Sequence, residues 1–184
     1  TPPVSPGKKI WISSAAFSHN GSNKPDQHCG ADQAGALALV ARTTVAAASL
    51  LTPAATYVRV DGQVVGTGAQ LIAAGVLPNG LWQHRNGFYL NPTELVVWTG
   101  SNGDLTALGT PTGTCNDWAS TASPSGAFGI GVVKDGRWWS YNASSCSARR
   151  NGPAPTRGPT TSRSTENRVA GAPAPHSPSG VRGP

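Results

Sequence analysis

Four aromatic side chains are the residues of this chain best suited to binding chemistry. Trp82 and Tyr89 lie in a turn-rich segment, and Trp138 and Trp139 follow an Asp-Gly turn. Aromatic rings stack on flat apolar faces and carry a polar group for hydrogen bonding. If Trp138 and Trp139 belong to a strand, they face opposite sides, so one can be core and the other surface. The sequence leaves two interpretations open, glycan stacking and core packing, and it favours packing.

Groups for metal binding or catalysis are sparse. His19, Asp26, His28 and Cys29 fall close together, but they form neither the C-x-x-C nor the H-x-x-x-H pattern of metal ligands. The chain contains no G-x-S-x-G, no H-E-x-x-H and no complete phosphate-binding loop. The sequence therefore predicts a protein that is not an enzyme and has no metal centre. A secreted hydrolase with an unrecognised site is the alternative.

The positive charge of the chain is concentrated at its C-terminal end. Six arginines and one glutamate lie from Arg149 onward and contribute +5 to the net charge of +6. Residues 1–148 are therefore almost neutral. A neutral domain lacks the basic surface by which proteins bind nucleic acid, and we expect no specific nucleic-acid partner. No apolar run reaches the roughly 18 residues of a membrane-spanning helix, so we expect no transmembrane segment.

Short strands and turns dominate the predicted elements. Residues 8–14 alternate as a strand with Ile10 and Ile12 on one side and Trp11 on the other. The alternating residues around Asp61 and Gly62 predict a β-hairpin. Two short helices are predicted, one at residues 25–34, where a proline suits the first helical position, and one at residues 45–51.

Composition divides the chain into three parts. Residues 1–7 are interpreted as an N-terminal linker and residues 8–148 as one domain. Residues 149–184 contain seven prolines, five glycines and only two aliphatic residues larger than alanine. Such a segment cannot bury enough apolar surface to offset the entropy of ordering it. We therefore expect a disordered tail from residue 149.

The order of several short motifs resembles a known group of proteins. The motifs are K-K-I-W-I-S-S, D-Q-H-C, A-L-V-A-R-T-T-V, Y-V-R-V-D-G, V-V-W-T-G-S-N-G-D-L, T-C-N-D-W-A-S and S-S-C, between residues 8 and 146. They are similar to secreted bacterial proteins of unassigned role that resemble the endostatin domain of collagens. The resemblance implies an α+β domain with the C-type-lectin-like fold, two short helices and a twisted, mostly antiparallel sheet.

The same resemblance implies a disulfide pattern. Cys115 and Cys146 match the inner pair, and Cys29 matches the first cysteine of an outer pair whose second cysteine is missing here. In the family that cysteine ends a closing strand, whereas this chain continues as A-R-R-N-G-P-A-P. Loss of the last strand and a shifted reading frame near Arg149 both account for the difference, and we favour the second. We expect a monomer, with the unpaired Cys29 as the residue that could cross-link two chains.

The resemblance also leads to the hypothesis of calcium-dependent sugar binding. Asn116 and Asp117 carry oxygen atoms of the kind that bind calcium and are retained as candidate ligand-binding residues. The calcium motifs of sugar-binding lectins are not reproduced in order or place, so no cofactor is predicted. We expect a non-enzymatic recognition or adhesion domain, extracellular or at the cell surface, with a glycan or extracellular polymer as partner. A structural surface module without a ligand is a further alternative.

Overall fold

The first strand, β1 (Lys8–Ile12), places its side chains in two separate cores. The computed structural model describes residues 7–17, 25–91, 96–122 and 125–156. Ile10 and Ile12 pack in one buried cluster, and Trp11 packs in the other. This confirms the predicted alternation and follows from the two-residue period of a strand. Because both faces of β1 are covered, β1 runs through the centre of the molecule.

β1 belongs to a four-stranded sheet with the order β3-β2-β1-β7. Its other strands are β2 (Thr56–Val58), β3 (Val64–Thr67) and β7 (Pro153–Pro155). β1 and β2 are parallel, and the other two pairs are antiparallel. The hairpin predicted at Asp61 and Gly62 is confirmed, and Gly62 has a φ of +87°, which favours glycine.

A second, three-stranded sheet is wholly antiparallel and has the order β4-β5-β6. Its strands are β4 (Val96–Trp98), β5 (Gly126–Ile130) and β6 (Asn142–Ser144). A parallel bridge between Val97 and Asn151 connects it to the chain that enters β7. The α+β class and the mostly antiparallel pairing are confirmed, but the predicted single sheet is two sheets.

The helices are few and short. α1 (Pro25–Asp32) is confirmed at the predicted place, and α2 (Gly68–Ile72) starts at a capping box formed by Thr67 and Gln70. The helix predicted at residues 45–51 is a 3-10 turn, Ala47–Leu50. None of the helices in the described part of the chain has the length and apolar character needed to cross a membrane.

Residues 149–156 correct the predicted start of the disordered tail. They form β7 and the segment leading into it, and residues 151–155 are buried. The prediction from composition failed because β7 is a short strand that needs no large apolar side chain. Ala154 is completely buried. Pro153 and Pro155 lie on an edge strand, where a missing N–H is tolerated. The A-R-R-N-G-P-A-P segment therefore supplies a last strand. Linker residues 1–6 and tail residues 157–184 lie outside the described residues.

The disulfide implied for Cys115 and Cys146 is confirmed, with Cα atoms 5.6 Å apart. Cys29 carries a free thiol that is completely buried. Burial raises the pKa of this thiol, and the nearby carboxylates of Asp32 and Asp26 raise it further. In this structure the thiol is therefore neither exposed nor ionised in the way that cross-linking to a second chain requires.

Replacing Cys115 and Cys146 together by serine is expected to lower the free energy of unfolding by about 3–4 kcal/mol, because the disulfide closes a loop of about 30 residues in the unfolded chain. Urea unfolding of the variant and the wild type measures this change. Ser147→Ala, which alters an exposed hydroxyl beside Cys146, is the control and should leave the midpoint unchanged. Equal stability of the double variant and the wild type would contradict the prediction.

Candidate functional site

Trp82 and Tyr89 line one open pocket of about 270 Å³ together with Arg59, Leu90 and Val132. Two of the four aromatic candidates from the sequence are therefore brought together. Trp82 is 39% exposed and Tyr89 is 61% exposed. Both rings thus combine contact with the pocket and access to solvent, which stacking on a ligand requires.

A tight turn places these two aromatic residues next to each other. Gln83 and Tyr89 form an antiparallel bridge, and the N–H of Leu90 donates to the carbonyl of Trp82 at 2.9 Å. The chain reverses at Gly87, whose φ of +91° suits glycine. The segment that looks irregular in sequence is therefore a small hairpin-like loop with its aromatic residues at the base.

Arg59 forms the inner polar wall of the pocket. It follows β2, and its guanidinium carbon lies 5.2 Å from the centre of the Trp82 ring, within the range of a cation–π contact. Its Nε donates to Oδ1 of Asp61 at 3.2 Å, and its Nη2 donates to Oδ2 at 2.8 Å. Only 6% of the Arg59 side chain and 21% of the Asp61 side chain are exposed. The pair is therefore a bidentate salt bridge between a buried guanidinium and a carboxylate that remains accessible to solvent.

Asp61 receives further hydrogen bonds. The hydroxyl of Tyr89 donates to its Oδ2 at 3.2 Å, and the N–H of Gln63 donates to its Oδ1 at 3.0 Å. Desolvation alone would raise the pKa of Asp61, but the bonds from Arg59, Gln63 and Tyr89 outweigh it and lower that pKa. Because the pKa is lower in the folded than in the unfolded chain, the stabilisation is present above the ordinary carboxyl pKa. It is lost as the pH falls towards the folded value.

Gln83 ties the two parts of the site together. Its side chain is buried, its Oε1 accepts from the N–H of Asp61 at 2.9 Å, and its Nε2 donates to the carbonyl of Gly87 at 2.9 Å. Sequence reasoning missed Arg59, Asp61 and Gln83. The available signal was the two-residue spacing of Arg59 and Asp61 at the end of a strand, which places both side chains on one face.

Trp138 and Trp139 are not part of this site. Both are completely buried in the core that contains Ile10 and Ile12. The strand predicted for them is a 3-10 turn, Gly136–Trp138, whose N-terminal Asp135 accepts from the N–H of Arg137. Successive residues of a 3-10 turn diverge by about 120° instead of 180°, so neighbouring rings can enter the same core. The idea that one of these rings faces a ligand is therefore wrong.

Asn116 and Asp117 are exposed but lie outside the pocket lining. They belong to α3 (Cys115–Trp118), whose four residues have φ between +52° and +66°, in the left-handed region. Oδ1 of Asp117 accepts from the N–H of Thr43 at 3.0 Å. Asp117 thus satisfies a backbone donor that lies far away in the sequence. Within the described residues, no group of three or more His, Cys, Asp or Glu could hold a metal ion.

The site combines exposed aromatic surface with an internally neutralised Arg–Asp pair. Such an arrangement is suited to binding a ligand that has both apolar faces and polar edges. Asp61 is not itself a lining residue but hydrogen-bonds to two of them, Arg59 and Tyr89. Its carboxylate is already engaged by three residues, so it is poorly placed to act as a general base. Neither the protein-family models nor the curated proteins provided a match to this chain.

Proposed function

We propose that this chain is a non-enzymatic recognition domain of a secreted or cell-surface protein and that it binds carbohydrate in the pocket between Trp82 and Tyr89. The observation that supports this proposal is that both aromatic residues line one pocket with the Arg59 side chain. The sequence named both as candidate ligand-binding residues, and that role is part of the proposal.

The physical basis of the proposal is the dual character of a sugar. One face of a pyranose ring carries C–H groups and packs on an aromatic ring, while its rim carries hydroxyl groups. The rings of Trp82 and Tyr89 supply the stacking surface. The hydroxyl of Tyr89 supplies a hydrogen-bonding atom in the pocket, and the carboxylate of Asp61, which accepts from that hydroxyl at 3.2 Å, supplies further acceptors beside it.

The C-type-lectin-like, endostatin-like fold and the extracellular location belong to the same proposal. The α+β architecture and the Cys115–Cys146 disulfide are consistent with both. Disulfides persist mainly in oxidising compartments, which supports secretion. Calcium has no part in the proposal, because Asn116 and Asp117, the residues with calcium-type oxygen atoms, fall outside the pocket lining.

Trp82→Ala is expected to weaken binding of the chain to an immobilised glycan about 5- to 13-fold, since a lost aromatic stacking contact of roughly 1–1.5 kcal/mol has this effect. The glycan is chosen by screening the wild-type protein against an oligosaccharide array, and affinity is measured by biolayer interferometry. Circular dichroism verifies that the variant is folded.

Tyr141→Ala is the matched control, because Tyr141 is an exposed aromatic residue of similar character that lies outside the pocket lining. It should bind as the wild type does. Failure of the wild type to bind any oligosaccharide, or equal binding by Trp82→Ala and the wild type, would overturn the proposal.

A further inference from the structure

We propose that this pocket selects neutral sugars over carboxylated or sulfated ones and that Asp61 is the residue that sets this selectivity. The inference rests on the proposed carbohydrate binding and names the ligand class of the same site. It is carried by the contacts among Arg59, Asp61 and Tyr89.

The first step concerns Arg59, the cationic side chain that lines the pocket. An unpaired guanidinium presents a planar fork of N–H donors that binds carboxylates and sulfates in bidentate fashion. Here Asp61 already occupies that fork through Nε and Nη2. The side chain of Arg59 is only 6% exposed, so its other N–H groups offer little surface to a ligand. The anion site that Arg59 could have formed is filled from within the chain.

The second step concerns how firmly Asp61 is held. Its carboxylate accepts from the hydroxyl of Tyr89 and from the N–H of Gln63, and its main-chain N–H donates to the buried side chain of Gln83. An anionic ligand would have to displace Asp61 from all of these contacts or approach it as a second negative charge. Both routes are unfavourable, because like charges repel strongly where solvent is partly excluded.

The third step concerns the hydrogen-bonding atoms that remain. The hydroxyl of Tyr89 uses its proton towards Asp61, so its lone pairs are left as acceptors, and carboxylate oxygens are acceptors only. The Tyr89–Asp61 pair beside the pocket therefore offers acceptors to a ligand. Sugar hydroxyl groups can donate to these acceptors, whereas a carboxylate or sulfate group has no proton to donate at neutral pH. Charge and hydrogen-bonding capacity thus point to the same ligand class.

The test measures how tightly the wild-type chain binds neutral sugars and the carboxylated forms of the same sugars. Neutral gluco-, galacto- and manno-oligosaccharides are immobilised beside the same sugars oxidised to carboxylates at C6. The neutral member of the best-binding pair should bind at least about tenfold more tightly. Its affinity should change less than about twofold between about 50 mM and about 500 mM NaCl, because no net charge is neutralised on binding.

Asp61→Asn tests the residue itself, since the amide retains most of the shape and removes the charge. It should raise the affinity for the carboxylated sugar at least about tenfold and make that binding sensitive to salt. Asp135→Asn is the matched control: Asp135 pairs with Arg137 at 2.7 Å in an exposed pair of the same spacing. It makes the same change of net charge outside the pocket lining and should leave both affinities unchanged.

The outcomes separate this inference from the proposed function. Tighter, salt-sensitive binding of the carboxylated sugar by the wild type, lost in Trp82→Ala, would overturn the selectivity but retain carbohydrate binding at the pocket. No binding of either class would overturn both. The comparison of wild-type affinities stands by itself if Asp61→Asn proves unfolded.

Discussion

A chain that ends at Ala148 is expected to remain unfolded under conditions in which a chain that ends at Thr156 folds like the 184-residue chain. The segment between these ends contains β7 and its approach, which pairs with the central strand β1. The bridge between Val97 and Asn151 also links this segment to the second sheet. Its removal therefore exposes one edge of β1 and deletes the bridge between Val97 and Asn151.

The size of this effect follows from the hydrogen bonds that the segment accepts. Four main-chain N–H groups of buried residues donate to its carbonyls, and they belong to Ser13, Phe17, Leu39 and Trp98. A buried donor left unsatisfied costs about 1–3 kcal/mol, so the loss is on the order of 4–12 kcal/mol. The total stability of a typical domain is roughly 5–15 kcal/mol, and the shorter chain should therefore lie near or beyond the limit of folding.

Far-UV circular dichroism and urea unfolding of the two truncated chains provide the measurement. The chain that ends at Thr156 is the matched control, since it lacks only residues 157–184. If residues 149–156 contributed nothing to the fold, both chains would unfold at the same urea concentration. Equal midpoints would thus contradict the position of β7.

Trp138→Ala is expected to lower the free energy of unfolding by about 3–5 kcal/mol, as is usual for deleting a large buried aromatic residue. The Trp138 ring is completely inaccessible and lies 5.7 Å from the ring of Trp139. The packing there is close, because a Cβ atom at Gly129 would clash with the main-chain carbonyl of Trp138. The space left by the indole cannot readily be filled by neighbouring backbone.

Urea unfolding measures this loss, with Phe88→Ala as the control. Phe88 is 71% exposed, and its replacement should change stability by no more than about 0.5 kcal/mol. Trp138→Phe, which retains an aromatic core residue, should keep the glycan affinity of the wild type. A stable Trp138→Ala protein that has lost glycan binding would instead place this residue at a ligand.

Local patterns were sufficient to predict several elements and part of the site. The alternation of Ile10, Trp11 and Ile12 was confirmed on opposite faces of β1, and so was the hairpin at Asp61 and Gly62. These features depend on residues a few positions apart, because strand periodicity and turn conformation are local properties of the chain. The same turn chemistry marked the loop that carries Trp82 and Tyr89.

Other features depended on contacts between distant parts of the chain. Arg59 enters the site only because β2 brings it beside Trp82. Gln83 contributes through its bonds to the N–H of Asp61 and to the carbonyl of Gly87. Trp138 and Trp139 were candidate ligand-binding residues, but the 3-10 turn Gly136–Trp138 directs both indole rings into one core. Side-chain burial is set by which distant surface covers a residue, and residue type alone does not specify it.

The sequence by itself predicted the strand at residues 8–14, the hairpin at Asp61 and Gly62 and the aromatic, turn-rich segment of Trp82 and Tyr89, and its resemblance implied the α+β class and the Cys115–Cys146 disulfide. Only the tertiary structure decided that Ala154 and its neighbouring prolines complete a sheet, and that Asp61 neutralises Arg59 inside the pocket. The physical reason is that periodicity, turns and composition act within a few residues. Edge-strand pairing and the balance of charge in a pocket arise only when segments far apart in sequence are packed together.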